Sequence, residues 1–344
     1  MDFFRFSGIS QRFLQGAWPM AGLLLAAGSA AVYAQTGASN PQAVVVRVVA
    51  DSGGQPVSDL KASDFAVLDN GSPQQIVSLR LQQSDRPHPV VILFDLLNAG
   101  ESSRGAVWKA VKTELPRLQS TGQVYLYLLV ADGGLYPVHA LPATPAAQVA
   151  ASADWLKDIG PLLDAAMQKV SQLKPQDLRA ASPTSLQSRF KASYDALENM
   201  RAMMARMPGP KELLWVTYGV PSAIQLVDRT WFDGAPLLRQ LGTRFVQSGA
   251  TVYTADPGMN LQAGVLDRDS LDILAGVTGG RAFSTIDLNR AITRIEADAL
   301  TNYSLAYQPS ANNWDGKFHK LRVTVARKGI HVQTEAGYYA ASGS

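Results

Sequence analysis

Four short apolar runs constrain the fold of this chain more than any other feature. They are VVILF (residues 90–94), QVYLYLLV (123–130), ELLWVT (212–217) and ATVYT (250–254), and segments with helical spacing separate them. A strand that is apolar at nearly every position is typical of a sheet covered by helices on both faces. The sequence therefore predicts an α/β domain over residues 86–300, with a mainly parallel sheet.

The two ends of the chain predict β-structure instead. Residues 35–85 carry valine-rich runs and an Asn70-Gly71 pair, which is a strong signal for a tight β-hairpin. Residues 301–344 alternate between apolar and polar side chains, as half-buried strands do. Neither end has enough strands for a stable core of its own. We therefore predict that the two ends form one β-sandwich into which the α/β domain is inserted.

The N-terminus predicts a secretory signal peptide over residues 1–34. Arg5 and Arg12 precede the short apolar run MAGLLLAAGSAA, and Val32-Tyr33-Ala34 ends it with a small residue before Gln35. The apolar run is shorter than the roughly 20 residues that a membrane span needs. We expect cleavage after Ala34, a periplasmic or extracellular product, and no membrane span after that cleavage.

Composition narrows the possible functions. The 344 residues include no cysteine, which excludes disulfides, thiolate catalysis and thiolate metal sites. The formal net charge is only +3, and lysine and arginine never form a long run. Nucleic-acid binding usually requires a concentrated basic face, so we expect no nucleic-acid partner.

Several segments together resemble a known family. They are VSDLKASDFAVLDNG, VVILFDLLN, LDILAGVTGGRAF and the closing YSLAYQPSANNWDGKFHKLRVTVARKGIHVQTEAGYYA. In this order they are similar to the von Willebrand factor type A (VWA)-related proteins widespread in acidobacteria, over nearly the whole chain after the signal peptide. The resemblance implies a Rossmann-like domain. In active members it also implies a divalent metal at the carboxyl edge of the sheet, held by an Asp-x-Ser-x-Ser motif with a Thr and an Asp from two further loops.

This sequence departs from that metal motif. Asp95 matches the first aspartate, but the two serine positions hold Leu97 and Ala99. The third acid is replaced by Tyr218, in Thr217-Tyr218-Gly219 after the run ELLWV. Magnesium requires several well-placed oxygen ligands, and Asp95 alone does not provide them.

Two further side chains complete the candidate site. Ser193 stands near the position of the family's Thr, and Asn98 offers an oxygen at a different spacing from Asp95. We predict that Asp95, Asn98, Ser193 and Tyr218 lie at a partner-binding edge that has lost its metal. We expect no cofactor, with Mg²⁺ at Asp95 as the alternative.

The histidines give no metal motif. If Lys328-Gly329 is a two-residue hairpin turn, His319 faces Tyr338, and His331 lies too far along the hairpin to share a metal with His319. We interpret both as ordinary surface or half-buried side chains.

These observations predict a secreted, non-catalytic protein that binds another protein. One alternative is a hydrolase of envelope polymers that uses carboxylates at the sheet edge, namely Asp95, Asp132 and Asp256, for acid–base chemistry. Another is a purely structural envelope protein without a discrete site. No nucleophile elbow, His-Glu-x-x-His motif or P-loop occurs in the sequence.

Overall fold

The computed structural model describes residues 43–99, 108, 111–117, 123–142, 155–156, 159–172, 182–257, 269–284, 287–309 and 314–340. The predicted signal peptide, residues 1–34, lies outside the described residues. Among the described helices, none is both long and apolar enough to cross a membrane.

The terminal segments join in one eight-stranded antiparallel sheet. Its order is β15-β1-β13-β4-β3-β14-β16, with β2 beside β1. The strands are β1 (Val44–Ser52), β2 (Gln55–Pro56), β3 (Phe65–Asp69), β4 (Ser72–Gln83), β13 (Thr301–Gln308), β14 (Phe318–Val325), β15 (His331–Thr334) and β16 (Gly337–Tyr339). Alternate residues of β1, β3, β13 and β14 form its hydrophobic core, among them Val48, Val67, Leu305 and Val323.

A second, six-stranded sheet occupies the middle of the chain. Its order is β12-β11-β8-β5-β6-β7. The strands are β5 (Val90–Asp95), β6 (Val124–Leu129), β7 (Leu135–His139), β8 (Lys211–Val216), β11 (Ala250–Ala255) and β12 (Ala282–Phe283). Every residue of β5, β6 and β8 is buried, because helices cover both faces of these strands.

Five helices with defined bounds accompany this second sheet. They are α1 (Ile159–Gln172), α2 (Pro183–Met204), α3 (Ala235–Gln247), α4 (Asp269–Thr278) and α5 (Leu288–Leu300). Alternate residues of β5 enter two cores: Ile92 and Phe94 share one with α1 and α5, and Leu93 shares the other with α2, α3 and α4. A separate hairpin of β9 (Ala223–Gln225) and β10 (Trp231–Asp233) follows β8.

The predicted fold class, a Rossmann-like VWA domain of mainly parallel sheet inserted in a β-sandwich, is wrong. The terminal segments form a single half-barrel sheet and not two packed sheets. The reason is that β13 hydrogen-bonds to β1 on one side and to β4 on the other, which makes the strands from both ends of the chain continuous. The middle sheet is mixed, because the Asp132–Gly134 turn returns β7 antiparallel to β6.

The predicted Lys328-Gly329 hairpin is also different in the structure. Gly329 has the positive φ of a turn, but β15 pairs with β1, and His331 lies opposite Asp51. The expected pairing of His319 with Tyr338 is confirmed, although β16 and not β15 provides the partner strand.

A cluster of ion pairs connects the two sheets. Asp51 of β1 accepts hydrogen bonds from Arg281, which precedes β12, at 3.0 Å and from Arg294 of α5. Both arginines also contact Asp298 of α5, at 3.0 and 2.9 Å. Asp51 and Asp298 are buried, so these charges stabilise the contact only as a paired set.

Candidate functional site at the carboxyl edge of the mixed sheet

The carboxyl ends of three adjacent parallel strands bring polar residues to one edge of the mixed sheet. The strand β5 ends at Asp95, while Thr217 and Asp256 directly follow β8 and β11. Because the three strands are parallel, these residues share an edge. Ligands of α/β sheets generally bind at this edge.

Asp95 is 3% exposed and is held by donors from its own chain. Its Oδ1 accepts a hydrogen bond from the backbone N–H of Asn98 at 2.8 Å. Its Oδ2 accepts from the Asn98 side-chain amide and from the Thr217 hydroxyl, each at 2.7 Å. Both carboxylate oxygens are therefore engaged within the protein.

The structure brings three of the four predicted site residues into one network. The Asn98 amide that reaches Asp95 also donates to the hydroxyl of Ser193 on α2 at 2.9 Å, and Ser193 is buried. Tyr218 lies at the same edge, but its side chain belongs to the hydrophobic core together with Phe94 and Val216.

The sequence analysis missed Thr217 as a member of this network. Its hydroxyl donates to Asp95 and accepts from the backbone N–H of Gly219 at 3.1 Å, which orients the loop after β8. The only indication in the sequence was that Thr217 directly follows the apolar run that becomes β8. Recognising its contact with Asp95 also requires knowing that β8 pairs with β5, and the sequence does not give the strand order.

Burial is the largest influence on the Asp95 carboxyl. It raises the pKa of Asp95 above the ordinary value, because the charged form loses contact with water. The hydrogen bonds from Asn98, Thr217 and Leu97 oppose this increase without cancelling it. Asp95 thus resembles a structural carboxyl more than an exposed metal ligand.

The residues around Asp95 do not fit a magnesium ion. Magnesium prefers octahedral coordination by oxygens, whereas Asp95 accepts hydrogen bonds from the Asn98 side-chain amide, from the backbone N–H groups of Asn98 and Leu97 and from the Thr217 hydroxyl. Leu97 and Ala99, at the family's serine positions, are buried apolar side chains. In the part of the chain that the structure describes, no group of three or more His, Asp or Glu residues is arranged to hold a metal.

The other two carboxylates of the hydrolase alternative have different surroundings. Asp132 is exposed, and its Oδ1 accepts from the backbone N–H of Gly134 at 2.8 Å within its own turn. Asp256 is buried and follows β11, which β8 separates from β5. Two strand spacings place the ends of β11 and β5 about 10 Å apart.

A hairpin with exposed apolar side chains follows the Asp95 network in the chain. Its inner residues are anchored: Ile224 is 2% exposed, and the Phe232 ring packs edge-on against Phe190 at 5.1 Å. Its outer residues Val227 and Trp231 are 85% and 66% exposed. These two side chains lie on one ordered hairpin, and tryptophan is enriched among the residues that contribute most to protein–protein binding.

The turn of this hairpin is held by local hydrogen bonds. The Asp228 side chain accepts from the backbone N–H and the hydroxyl of Thr230, at 3.0 and 2.6 Å. Arg229 adopts a left-handed φ of 69°, and its N–H donates to the Leu226 carbonyl. The Val227 and Trp231 side chains therefore project from an ordered turn.

A second buried polar cluster lies inside the antiparallel sheet. His319 is buried, with its Nδ1 2.8 Å from Asp69 and its Nε2 3.1 Å from Asp315. Tyr307 and Tyr338 donate to the other oxygen of Asp69 at 3.1 and 2.7 Å. The interpretation of His319 as a surface or half-buried residue is wrong, because Asp69 gives it a partner in the interior.

Comparisons with known proteins do not identify a family. No family model matches the chain, and no curated protein matches it. Two structures of proximal thread matrix protein 1 from the mussel byssus are similar at TM-scores of 0.35 and 0.38, with 13% and 12% identity over 67% of this chain and 50% of theirs. A human COPII-coat protein matches at a TM-score of 0.32, with 12% identity over 74% of this chain and 44% of its own. The chain thus spans about half the length of these proteins, and similarity at this level assigns no function.

Proposed function

We propose that this chain is a secreted, non-catalytic protein that binds a protein partner at the carboxyl edge of its mixed sheet. The observation that carries the proposal is the ordered hairpin β9–β10, with Val227 85% and Trp231 66% exposed. Tryptophan is enriched among the residues that contribute most to protein–protein binding. An ordered turn also loses little conformational entropy when a partner binds.

The Asp95 network supports a binding role without a metal. Asp95 accepts hydrogen bonds from Asn98 and Thr217, and Asn98 also donates to Ser193, so these side chains hold the loops after β5 and β8 in place without an ion. In this proposal, Asp95, Asn98, Ser193 and Thr217 are positioning residues beneath the partner surface, and Tyr218 fills the core under the same loops.

A binding comparison tests the hairpin. The mature chain from Gln35, carrying Val227→Ser and Trp231→Ser, is compared with the parent in affinity capture from the envelope fraction and medium of the source organism. Val246→Ser is the matched control, because Val246 is also an exposed valine (39%) but lies on α3. We expect at least a tenfold loss of a specific captured protein for the hairpin variant and none for the control. Equal capture by all three proteins would reject the hairpin as the contact surface.

A metal titration tests the second part of the proposal. Thermal unfolding of the parent is recorded with EDTA and with millimolar magnesium, manganese or calcium. Any ligand that binds only the folded state stabilises it, by about 2.7 kcal/mol at a hundredfold excess over Kd. We expect no shift in Tm. A saturable shift that Asp95→Ala abolishes would show a rebuilt metal site.

The secreted location has its own test. Expression of the full chain should give a product in the periplasm or medium whose first residue is Gln35. Retention of residues 1–34 on a cytoplasmic product would contradict this part of the proposal without affecting the binding test.

A further inference from the structure

A cleft of about 760 Å³ lies between the antiparallel sheet and the helices α3 and α4, and no residue of the hairpin or of the Asp95 network lines it. The cleft is open to solvent, and its volume is comparable with the roughly 300–1,000 Å³ of small-molecule sites. Both layers of the molecule contribute to its walls, which is a common position for ligand sites.

One wall of the cleft is formed by the antiparallel sheet, because successive side chains of a strand point to opposite faces. His319, Leu321 and Val323 of β14 are buried, and Leu321 and Val323 belong to the sheet's own core, although Leu321 also reaches the margin of the cleft. Phe318, Lys320 and Arg322 lie on the opposite face of the same strand and line the cleft. Leu68 of β3 pairs directly with Arg322 and extends this wall.

The opposite wall is apolar at its centre. Ile273 and Val277 of α4 line the cleft, and Val277 is fixed by close packing against Gly242 of α3. The floor includes the ring of Phe318, which packs edge-on against Tyr339 with 5.3 Å between centroids. An apolar ligand body would therefore meet side chains that are already packed in place.

Three cationic groups face this apolar floor. The guanidinium carbon of Arg239 lies 5.6 Å from the centroid of Phe318, a cation–π contact. Lys320 and Arg322 are exposed beside it. Within the described part of the chain, none of the three side chains forms an ion pair with a carboxylate, unlike the buried arginines between the two sheets. Their charges remain available to an anion.

Two aspartates restrict the ligand further. Asp269 and Asp272, at the start of α4, line the cleft as well. Their negative charges reduce the net positive charge of the cleft, which disfavours polyanions such as nucleic acids. A single anionic group on an apolar body matches both the cations and the floor.

We infer that this cleft binds a small monoanionic amphipathic molecule, an apolar carboxylic acid. Its carboxylate contacts Arg239, Lys320 and Arg322, and its apolar body lies against Phe318, Ile273 and Val277. This site is independent of the proposed protein-binding edge, and either can fail without the other.

Calorimetric titration with decanoate, below its micelle concentration, tests the inference. Decanol and decylamine serve as neutral and cationic probes of the same length. We expect saturable one-to-one binding of decanoate that is at least tenfold tighter than that of either control, and that weakens as salt is added. Equal binding of decanol, or no saturable binding of decanoate, would overturn the inference.

Charge reversal locates the site. Lys320→Glu with Arg322→Glu should weaken decanoate binding at least tenfold and improve decylamine binding. The matched control, Lys328→Glu with Arg290→Glu, makes the same charge change at exposed positions outside the cleft. Equal loss in both variants would show a nonspecific charge effect and reject the site. If the reversal variant fails to fold by circular dichroism, Lys320→Gln with Arg322→Gln takes its place, with the same expected loss.

Discussion

Asp95 lies at the sheet edge where ligands usually bind, but its buried carboxylate forms hydrogen bonds within the protein. Its two oxygens accept hydrogen bonds from Asn98 and Thr217, and Asn98 extends the network to Ser193. The position of Asp95 at the end of an apolar strand was readable from the sequence. Its link to Thr217 was not, because 122 residues separate the two in the chain.

Asp95→Ala should lower the free energy of unfolding by about 2–4 kcal/mol, because buried donors of Asn98 and Thr217 lose their acceptor. Asp95→Asn should cost less. The Asn98 Oδ1 is buried without a hydrogen-bond partner in the described structure, and it can accept from the new amide if the Asn98 side chain turns. Urea denaturation of the three proteins, with and without magnesium, measures both effects. An Ala variant as stable as the parent would contradict the structural role of Asp95.

At the scale of single elements, the C-terminal end of α4 has the residues that its backbone conformation requires. A glycine pair after the last helical residue is typical of a helix end, because glycine adopts a positive φ easily. In the structure α4 ends at Thr278, and Gly279 has φ +75°. The N–H of Gly280 donates to the Ala275 carbonyl, as in a Schellman cap.

The two glycines should respond differently to substitution. Gly279→Ala should cost about 1–2 kcal/mol from the left-handed backbone alone, and more because the new Cβ would lie 3.2 Å from the Glu335 nitrogen. Gly53→Ala is the control for backbone strain, since Gly53 also has positive φ and no atom within 4 Å of a Cβ. Gly280→Ala should prevent folding, because its Cβ would lie 2.0 Å from the Val252 carbonyl oxygen. Thermal unfolding that ranks Gly280→Ala as the mildest would contradict this packing.

At the scale of the whole molecule, Asp51 joins the antiparallel sheet to the mixed sheet. Burial alone would raise its pKa, but the attraction of Arg294 and Arg281 and the hydrogen bond from Gly54 outweigh burial and lower the pKa below its ordinary value of 3.8. A carboxyl with a lowered pKa in the folded state contributes stability above its unfolded pKa. That contribution is lost as the pH falls through the folded pKa.

Asp51→Asn should therefore cost about 2–3 kcal/mol at neutral pH. The difference between the parent and this variant should shrink as the pH falls below 3.8. Asp85→Asn, at an exposed carboxylate, is the control. Denaturant unfolding of the three proteins between neutral pH and about pH 2 measures the difference. A gap between parent and Asp51→Asn that stays constant over this range would refute the link between the cluster and acid stability.

The sequence by itself determined which segments become buried strands and where several turns lie. Four apolar runs overlap the strands β5, β6, β8 and β11; they lie at residues 90–94, 123–130, 212–217 and 250–254. A continuous apolar run is a local property of the chain and can be recognised from the sequence alone. Only the tertiary structure decided which strand edges meet. The β1–β13 pairing, the Asp51–Arg281 ion pair across 230 residues and the hydroxyl that Thr217 presents to Asp95 all join distant segments. Which strands pair depends on long-range hydrogen bonding and packing, which a local sequence pattern does not contain. For that reason the sequence predicted a sandwich where the structure has a single half-barrel sheet.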